Sequence, residues 1–595
     1  MGVDKAALSE PSPIFQEPVQ QSDLTRFLAN AQRVRVINHY LWQTSRKLEQ
    51  HYAAPSAYDF LADVLQSQPL LPNVQVVQCS IIDIQDNTYI FLRSVHVLFG
   101  PRLRTLSLSF VGYAPSKLFP LSPPPQLLDN VDSEDEIVCI LSKVKQLVPG
   151  LQNIHLFLEP SSHIVKAVSS MICGLNNLTS VHLNSSSDKF PLTPQVFVHL
   201  ALLPDLRTLQ VSSDRVFWRQ GEFGPLPYTL RGRTFPALRR FIVKTPTLHL
   251  PVQLLQFVTS PHLVQIYVTT TGMVLRRDIR PFFAAIATHP SRKTLHTLWV
   301  EVRSVVRSDG RTYVAPSPIC EKTLAPLWGL PMIQDLVLDI HCPFDVDDAL
   351  LRKIGTTWVC IESLHLGVQS PWGTGEQDAP VEGCPGADSG SPITPALVLE
   401  DDAEAEVEED GEEDEDEEDG DDGSVMDEDD ENSEDEDDID MDDMSCGWRR
   451  SRATLSGLAE FISSCHLLRN LGVAFSADAS SFSPDKPTTR PNAASGRPNR
   501  RQTLTGLSPG LSPIDDPFAV AAFLSNVCDK IGYVEIEPWL MLDPEEDDHD
   551  PLLPDREQAW WSQARKYRAR WESVQELLPK FTAIREQERR WRARN

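Results

Sequence analysis

A short hydrophobic motif of the form L-x-x-L-x-L recurs along most of the chain. Its second half alternates apolar and polar positions, which a strand requires when one of its faces is buried. Clear copies begin at Leu103, Leu151, Leu178, Leu206, Leu238, Leu263, Leu295, Ile333, Ile361 and Leu468, and residues 74–77 and 533–536 are weaker copies. Helical spacing of apolar residues precedes most copies, as in residues 164–173, 194–203, 282–288, 347–354 and 455–464. The pattern therefore predicts a unit of helix, turn and strand.

Repetition of that unit predicts an α/β fold, a leucine-rich-repeat-like βα solenoid with one curved parallel sheet and an outer layer of helices. From Leu151 to Ile361 the copies start 25 to 38 residues apart. Leucine-rich repeats run to roughly 20–29 residues, so this array is long and irregular for the class. We expect about eleven or twelve repeats. The alternative is a generic α/β domain with a doubly wound sheet, which would not repeat one strand motif so evenly.

Two insertions interrupt the array, because removing residues 372–447 or 476–516 restores an ordinary spacing between successive motifs. We expect both insertions and an N-terminal tail to be disordered. The predicted organisation is a tail (1–21), a solenoid (22–371), an acidic insertion (372–447), a repeat (448–475), a Ser/Pro/Arg-rich insertion (476–516), a last repeat (517–545) and a C-terminal helical cap (546–595).

Charge is concentrated in the first insertion. The chain has 54 Lys and Arg against 84 Asp and Glu, and residues 400–443 alone hold 31 acidic residues and no basic one. Such a stretch cannot bury enough apolar surface to fold alone, so we expect a solvated loop. The functional alternative is a mimic of nucleic acid that binds a basic partner such as a histone. The rest of the chain is nearly neutral, and we do not expect nucleic acid as a partner.

Several hydroxyl groups in the insertions match kinase motifs. Ser424 and Ser433 precede carboxylates, and Thr503 follows two arginines. Ser508 and Ser512 each precede proline, as proline-directed kinases require. We regard these five residues as possible phosphorylation sites, with an unmodified linker as the alternative for each.

The C-terminal segment from residue 556 onward predicts a helix with one apolar stripe, which includes Tyr567, Trp571, Val574 and Leu578. Pro579 should break or kink this helix, and a second short helix should follow. The segment is basic and bears Trp, so contact with nucleic acid is one interpretation. The other, which we prefer, is a cap on the last repeat.

The chain shows no constellation of catalytic residues. It lacks a P-loop, a dinucleotide-binding fingerprint, a zinc-protease motif and a nucleophile elbow. Its ten cysteines include no CxxC pair, so we expect reduced core thiols. We predict that the protein is not an enzyme and uses no cofactor and no metal. Four histidines of the motifs, His155, His182, His296 and His365, are the candidate contacts on the concave surface, since they fall between inward positions.

The first residues lack the basic and apolar regions of a signal peptide, and no apolar run is long enough to span a membrane. We therefore expect a protein of the cytoplasm or nucleus, without a membrane partner.

The chain resembles the basidiomycete (fungal) F-box proteins with degenerate leucine-rich repeats. The resemblance covers nearly the whole chain through loose motifs. DLTRFLANAQRVRV at residues 23–36 looks like the stretch after the F-box, LPNV at 71–74 and FPAL at 235–238 look like repeat openings, and WESVQELLP at 571–579 with IREQER at 584–589 looks like the C-terminal helix.

The F-box itself, a helical segment opening on a Leu-Pro turn, has no counterpart in residues 1–60. Either the gene model starts late or this member lost the module. The resemblance implies a substrate-recognition part of an F-box-type ubiquitin ligase receptor, or a relic of one. Its repeats would hold an unidentified protein substrate, and an upstream F-box would contact a Skp adaptor and cullin. The alternative function is the acidic chaperone of histones or other basic proteins, acting through residues 400–443.

Overall fold

The computed structural model describes most of the repeat array and the C-terminal helix. The described residues are 21–41, 61, 65, 69–81, 95–110, 131–158, 161–185, 192–213, 234–272, 274, 276–302, 318–340, 342, 344–368, 451–478, 504–510, 512–528, 531–536 and 555–594. The chain separates into two compact units, Met1–Gly375 with Trp448–Asn595, and Glu376–Gly447. The second unit, which contains the acidic run, lies outside the described residues.

Fourteen strands of the described residues form one parallel sheet, and their order in the sheet is their order in the sequence. This arrangement confirms the solenoid and excludes the doubly wound alternative, whose strand order reverses. The strands are β1 (Val36–Leu41), β2 (Val76–Ile81), β3 (Thr105–Phe110), β4 (Asn153–Leu158), β5 (Ser180–Ser185), β6 (Thr208–Ser213), β7 (Arg240–Thr245), β8 (Gln265–Thr270), β9 (Thr297–Val302), β10 (Asp335–Asp339), β11 (Ser363–Leu366), β12 (Asn470–Val473), β13 (Gly506–Ser508) and β14 (Tyr533–Val534).

Eleven α-helices lie within the described ranges, and most precede a strand. They are α1 (Gln21–Ala31), α2 (Val131–Leu147), α3 (Ser162–Ile172), α4 (Pro194–Leu202), α5 (His249–Phe257), α6 (Arg276–Thr288), α7 (Glu321–Leu324), α8 (Asp348–Thr357), α9 (Leu455–Ser464), α10 (Pro517–Val527) and α11 (Asp555–Arg594). Side chains of Ser161, Thr193, Asp347, Thr454 and Asp516 accept the first free N–H groups of α3, α4, α8, α9 and α10. These caps explain why helices begin at those residues.

Register aligns equivalent positions of successive motifs. Leu106 pairs with Ile154, and Ile154 pairs with Val181, so the inward residues form continuous buried rows. One backbone carbonyl joins each repeat to the next at the start of the strand: Gln75 O accepts the N–H groups of Arg104 (2.8 Å) and Thr105 (3.0 Å). The inward rows and the apolar sides of the helices make one hydrophobic core, which leaves the other face of the sheet open.

The array resumes in register after the first insertion, as predicted. Leu364 of β11 pairs with Leu471 of β12, although more than a hundred residues separate them. The segment before α9 is hydrogen-bonded to the segment before α8, since Arg452 makes two hydrogen bonds to the Asp345 carboxylate (2.8 and 2.7 Å). The insertion therefore leaves the solenoid and returns to it without displacing a repeat.

The predicted number of eleven or twelve repeats is wrong, because the sheet has two further strands. β1 was not recognised as a repeat. β13 lies inside residues 476–516, which we expected to be disordered throughout. Its motif, which begins at Leu504 and includes the buried Leu507, has Pro509 at the third apolar position. That proline conceals the strand, since proline is disfavoured within a central strand.

The C-terminal helix α11 caps the array. Tyr567, Trp571, Val574 and Leu578 of the predicted stripe are buried, and α11 packs against α10 and β14. The expected second short helix after Pro579 is wrong, because one helix of 40 residues continues through this proline without a break. Leu578 and Phe581 both pack against the core on either side of this proline, and their burial offsets the hydrogen bond that proline cannot make.

Candidate binding surface

The open face of the sheet carries the candidate site. In a solenoid of this type it is the concave side. The strand residues that lie between two inward positions are aligned across the sheet by the parallel register. We call the following residues the central row: Gln78, Ser107, His155, His182, Gln210, Ile242, Tyr267, Trp299, Val337, His365, Gly472 and Ser508.

Apolar residues occupy the middle of the central row. Ile242, Tyr267, Trp299 and Val337 lie on the four consecutive strands β7 to β10, and we call them the apolar strip. The Tyr267 and Trp299 rings stack with centroids 6.1 Å apart and an interplanar angle of 27°. Trp299 is 37% exposed. On this face Trp299 is exposed and Ile242 and Tyr267 are half-buried, whereas Val337 is only 5% exposed.

Two of the predicted histidines form a pair beside the strip. The rings of His155 and His182 stack with centroids 4.0 Å apart and nearly parallel planes. Burial lowers the pKa of His155. Burial, His155 and the charge of Arg240 together lower the pKa of His182 to about 4. The Nε2 atom of His182 also lies 3.1 Å from the Ser180 hydroxyl. Both rings are therefore neutral near pH 7 and stack without mutual repulsion.

His365 also belongs to the central row, but it is packed rather than presented. Burial lowers its pKa to about 4. Its ring lies over Gly472 of the next strand, where a Cβ atom would come within 2.5 Å of Nδ1. Gly472 and Ser508 are themselves buried, so the row is covered from β12 onward.

His296 lies outside the central row, so its expected place between two inward residues of a strand is wrong, and its contact with a partner stays a prediction. It precedes β9, at the turn that enters the strand. Its backbone carbonyl accepts the N–H groups of Gln334 (2.7 Å) and Asp335 (3.0 Å), as the equivalent carbonyls of other repeats do. The motif L-x-x-L-x-L has polar positions in both halves, and only the one in the second half lies between inward residues.

Two of the five possible phosphorylation sites are buried in the folded protein. Ser508 is 2% exposed and Ser512 is 0% exposed. The Ser512 hydroxyl accepts the Phe475 N–H (2.8 Å) and donates to the Pro509 carbonyl. These positions were expected in an accessible loop, but they belong to the β13 repeat that the sequence pattern conceals. Ser424, Ser433 and Thr503 lie outside the described residues.

Charges flank the apolar strip asymmetrically. Arg207, Arg239 and Arg240 are exposed at the start of β6 and β7. The other side carries the partly buried carboxylates of Asp335 and Asp339 on β10. We did not single out these residues from the sequence. The signal was present, because LRTL and LRRF place arginines at the polar positions of two successive motifs.

No protein-family model matches the chain, and no curated protein matches it. Among solved structures, the crystal structure of the Rad7 and Elc1 complex in yeast is similar over 58% of this chain and 82% of that chain. The identity is 11% and the TM-score is 0.28. A TM-score this low carries no argument about family, partner or function.

Neither a metal-binding cluster nor a membrane-spanning helix is found among the described residues. Within these ranges, no group of three or more His, Cys, Asp and Glu residues is arranged to hold a metal ion. No helix there is both long enough and apolar enough to cross a bilayer.

Proposed function

We propose that this protein is a scaffold that binds another protein on the open sheet face, with the apolar strip as its anchor. The exposed Trp299 ring, stacked on the half-buried ring of Tyr267, carries the proposal. Aromatic residues are enriched in protein–protein interfaces, and tryptophan and tyrosine are among the residues that contribute most to binding when covered. Repeat solenoids use the same face for extended contacts.

Affinity purification of tagged protein from its own cells tests the proposal. The Trp299→Ala variant removes the exposed ring, and Leu202→Ala is a matched control, since Leu202 is an exposed apolar residue on helix α4 of the outer layer. Proteins recovered with the wild type should be lost with Trp299→Ala and retained with Leu202→Ala. Equal recovery with all three proteins would place binding elsewhere.

A finer proposal, supported by the sequence resemblance alone, is that the bound protein is a substrate of an F-box-type ubiquitin ligase or of a relic of one. A version extended upstream should then recover a Skp adaptor and cullin, whereas this chain should not. Failure to recover them with both versions would leave only the binding scaffold.

The acidic run of residues 400–443 supports a second candidate function, the shielding of histones or other basic proteins. Its 31 carboxylates would bind basic partners through charge, so binding should weaken steeply with salt. Purified histones are the probe. Binding that survives deletion of residues 400–443 would exclude this function, and loss of histone binding without loss of the Trp299-dependent partners would show two separate sites.

A further inference from the structure

Three arginines lie beside the apolar strip, where β6 and β7 begin. Arg207, Arg239 and Arg240 are exposed, and within the described part of the chain none of them makes an ion pair. By contrast, Arg469, at the same motif position as Arg207 and Arg239, pairs with Glu362 of the neighbouring repeat (3.4 Å). The absence of such a partner at β6 and β7 leaves three positive charges together.

The backbone fixes these arginines close to one another. The N–H groups of Arg239 and Arg240 both donate to the Arg207 carbonyl, at 2.8 and 3.0 Å. The three residues thus lie at the start of two adjacent strands, and adjacent strands are roughly 5 Å apart in a sheet. Arg240 is also near enough to His182 to lower its pKa. Arg240 therefore lies on the open face near His182, and Arg207 and Arg239 lie at the edge of the sheet where β6 and β7 begin.

The cluster lies at one end of the apolar strip. Arg240 and Ile242, the first residue of the strip, both belong to β7. Trp299 is two strands further on, roughly 10 Å away, which three or four residues of extended chain span. Beyond Trp299, β10 carries the carboxylates of Asp335 and Asp339, which repel an anion.

We propose that the protein bound on the open face presents an anionic side chain, a carboxylate or a phosphate, to Arg207, Arg239 and Arg240. A hydrophobic residue about three positions away in that segment covers Tyr267 and Trp299. Guanidinium groups bind both anions through paired charge-assisted hydrogen bonds. The arrangement orients the segment, with its anionic end over β6 and β7. This inference rests on the proposed function, since it names the chemistry of the partner at the same face.

Fluorescence anisotropy with labelled synthetic peptides tests the inference. Each peptide is an 11-residue Gly/Ser chain with a central Leu-Phe pair and one variable residue three positions before or after it. The variable residue is phosphoserine, glutamate, glutamine or lysine. We expect the anionic peptides to bind about tenfold more tightly than the glutamine peptide, and the lysine peptide to bind least. The phosphoserine and glutamate arms distinguish the two anions.

Charge reversal links the preference to the arginines. The double variant Arg239→Glu/Arg240→Glu should bind the lysine peptide better than the anionic ones. The matched control is Arg104→Glu, which reverses an exposed arginine at the same motif position of a distant repeat. Equal affinity of the glutamate, phosphoserine and glutamine peptides would overturn the inference. If the three peptides bind equally and Trp299→Ala abolishes their binding, the proposed function survives although the inference fails. If none of the peptides binds, the result counts against the proposed function and the inference.

Discussion

Removal of the Trp571 side chain should loosen the C-terminal end of the solenoid. This indole is fully buried, meets Phe475 edge-on at 5.8 Å and donates its Nε1–H to the Ser512 carbonyl at 2.9 Å. A tryptophan buries about 200 Å² of surface, which at roughly 25 cal/mol per Å² corresponds to about 5 kcal/mol. Measured substitutions of buried aromatic residues by alanine cost about 3–5 kcal/mol. We therefore expect Trp571→Ala to reduce the free energy of unfolding by about 3–5 kcal/mol.

The position of Trp571 predicts where this loss acts. Phe475 follows β12 and Ser512 follows β13, so the indole joins the segments that leave these two strands. In a linear array each repeat contacts only its neighbours, and loss of a cap opens the terminal repeats first. Hydrogen exchange in Trp571→Ala should accelerate in β12 to β14 and remain unchanged in β4 to β8.

Urea unfolding followed by circular dichroism gives the size of the effect. Trp591→Ala is the matched control, since Trp591 lies on the same helix and is 68% exposed. Its effect should stay within about 0.5 kcal/mol. Trp571→Phe should keep most of the packing but leave the Ser512 carbonyl without its donor, at a cost of about 1–3 kcal/mol. Equal destabilisation by Trp571→Ala and Trp591→Ala would refute the capping argument.

Three further predictions concern the insertions and the central row. Deletion of Glu376–Gly447 should change the free energy of unfolding, measured in urea, by no more than about 0.5 kcal/mol, because β11 and β12 pair without this segment. The folded pKa of His365, about 4, lies below its unfolded value of 6.5, so protons favour the unfolded chain. Stability should fall as pH drops from 6.5 towards 4, by about 1–2 kcal/mol at pH 5, and the fall should be smaller in His365→Gln. Mass spectrometry should detect phosphate from a proline-directed kinase on Ser512 in a peptide of residues 504–516 but not in the folded protein, and phosphorylation of both would contradict the burial.

Sequence reasoning found the strands whose motif is complete. A strand such as SVHLNS of β5 alternates polar and apolar residues through Asn184, and its two apolar residues, Val181 and Leu183, are buried, so one face identifies it. β1 escaped because its sequence, VINHYL, places His39 at the register of Cys79, where most other repeats carry an aliphatic residue. β13 escaped because of Pro509. Both strands are stabilised by pairing with a regular neighbour, which a search of single motifs does not include.

The candidate site was less accessible to the same reasoning. Motif phase placed His155, His182 and His365 correctly in the central row, because strand periodicity fixes which residues lie between inward positions. It could not tell that His365 is packed over Gly472, since that contact comes from a strand more than a hundred residues away. The apolar strip was overlooked for a related reason, because each of its residues is only a single apolar side chain within its own repeat.

Folding alone does not account for the apolar strip. A residue of the central row faces away from the core. An exposed aromatic side chain there therefore stabilises the fold little more than a serine or glutamine would. Most repeats hold a polar residue at this position, as with Ser107 and Gln210. Four consecutive repeats hold apolar ones, and among the described residues Arg207, Arg239 and Arg240 lie at one end of them without an ion pair. Ile242 to Val337 are distant in sequence and are brought together by the register alone. Their juxtaposition is therefore a property of the surface, and under the proposed function Trp299 contributes free energy when a partner covers it.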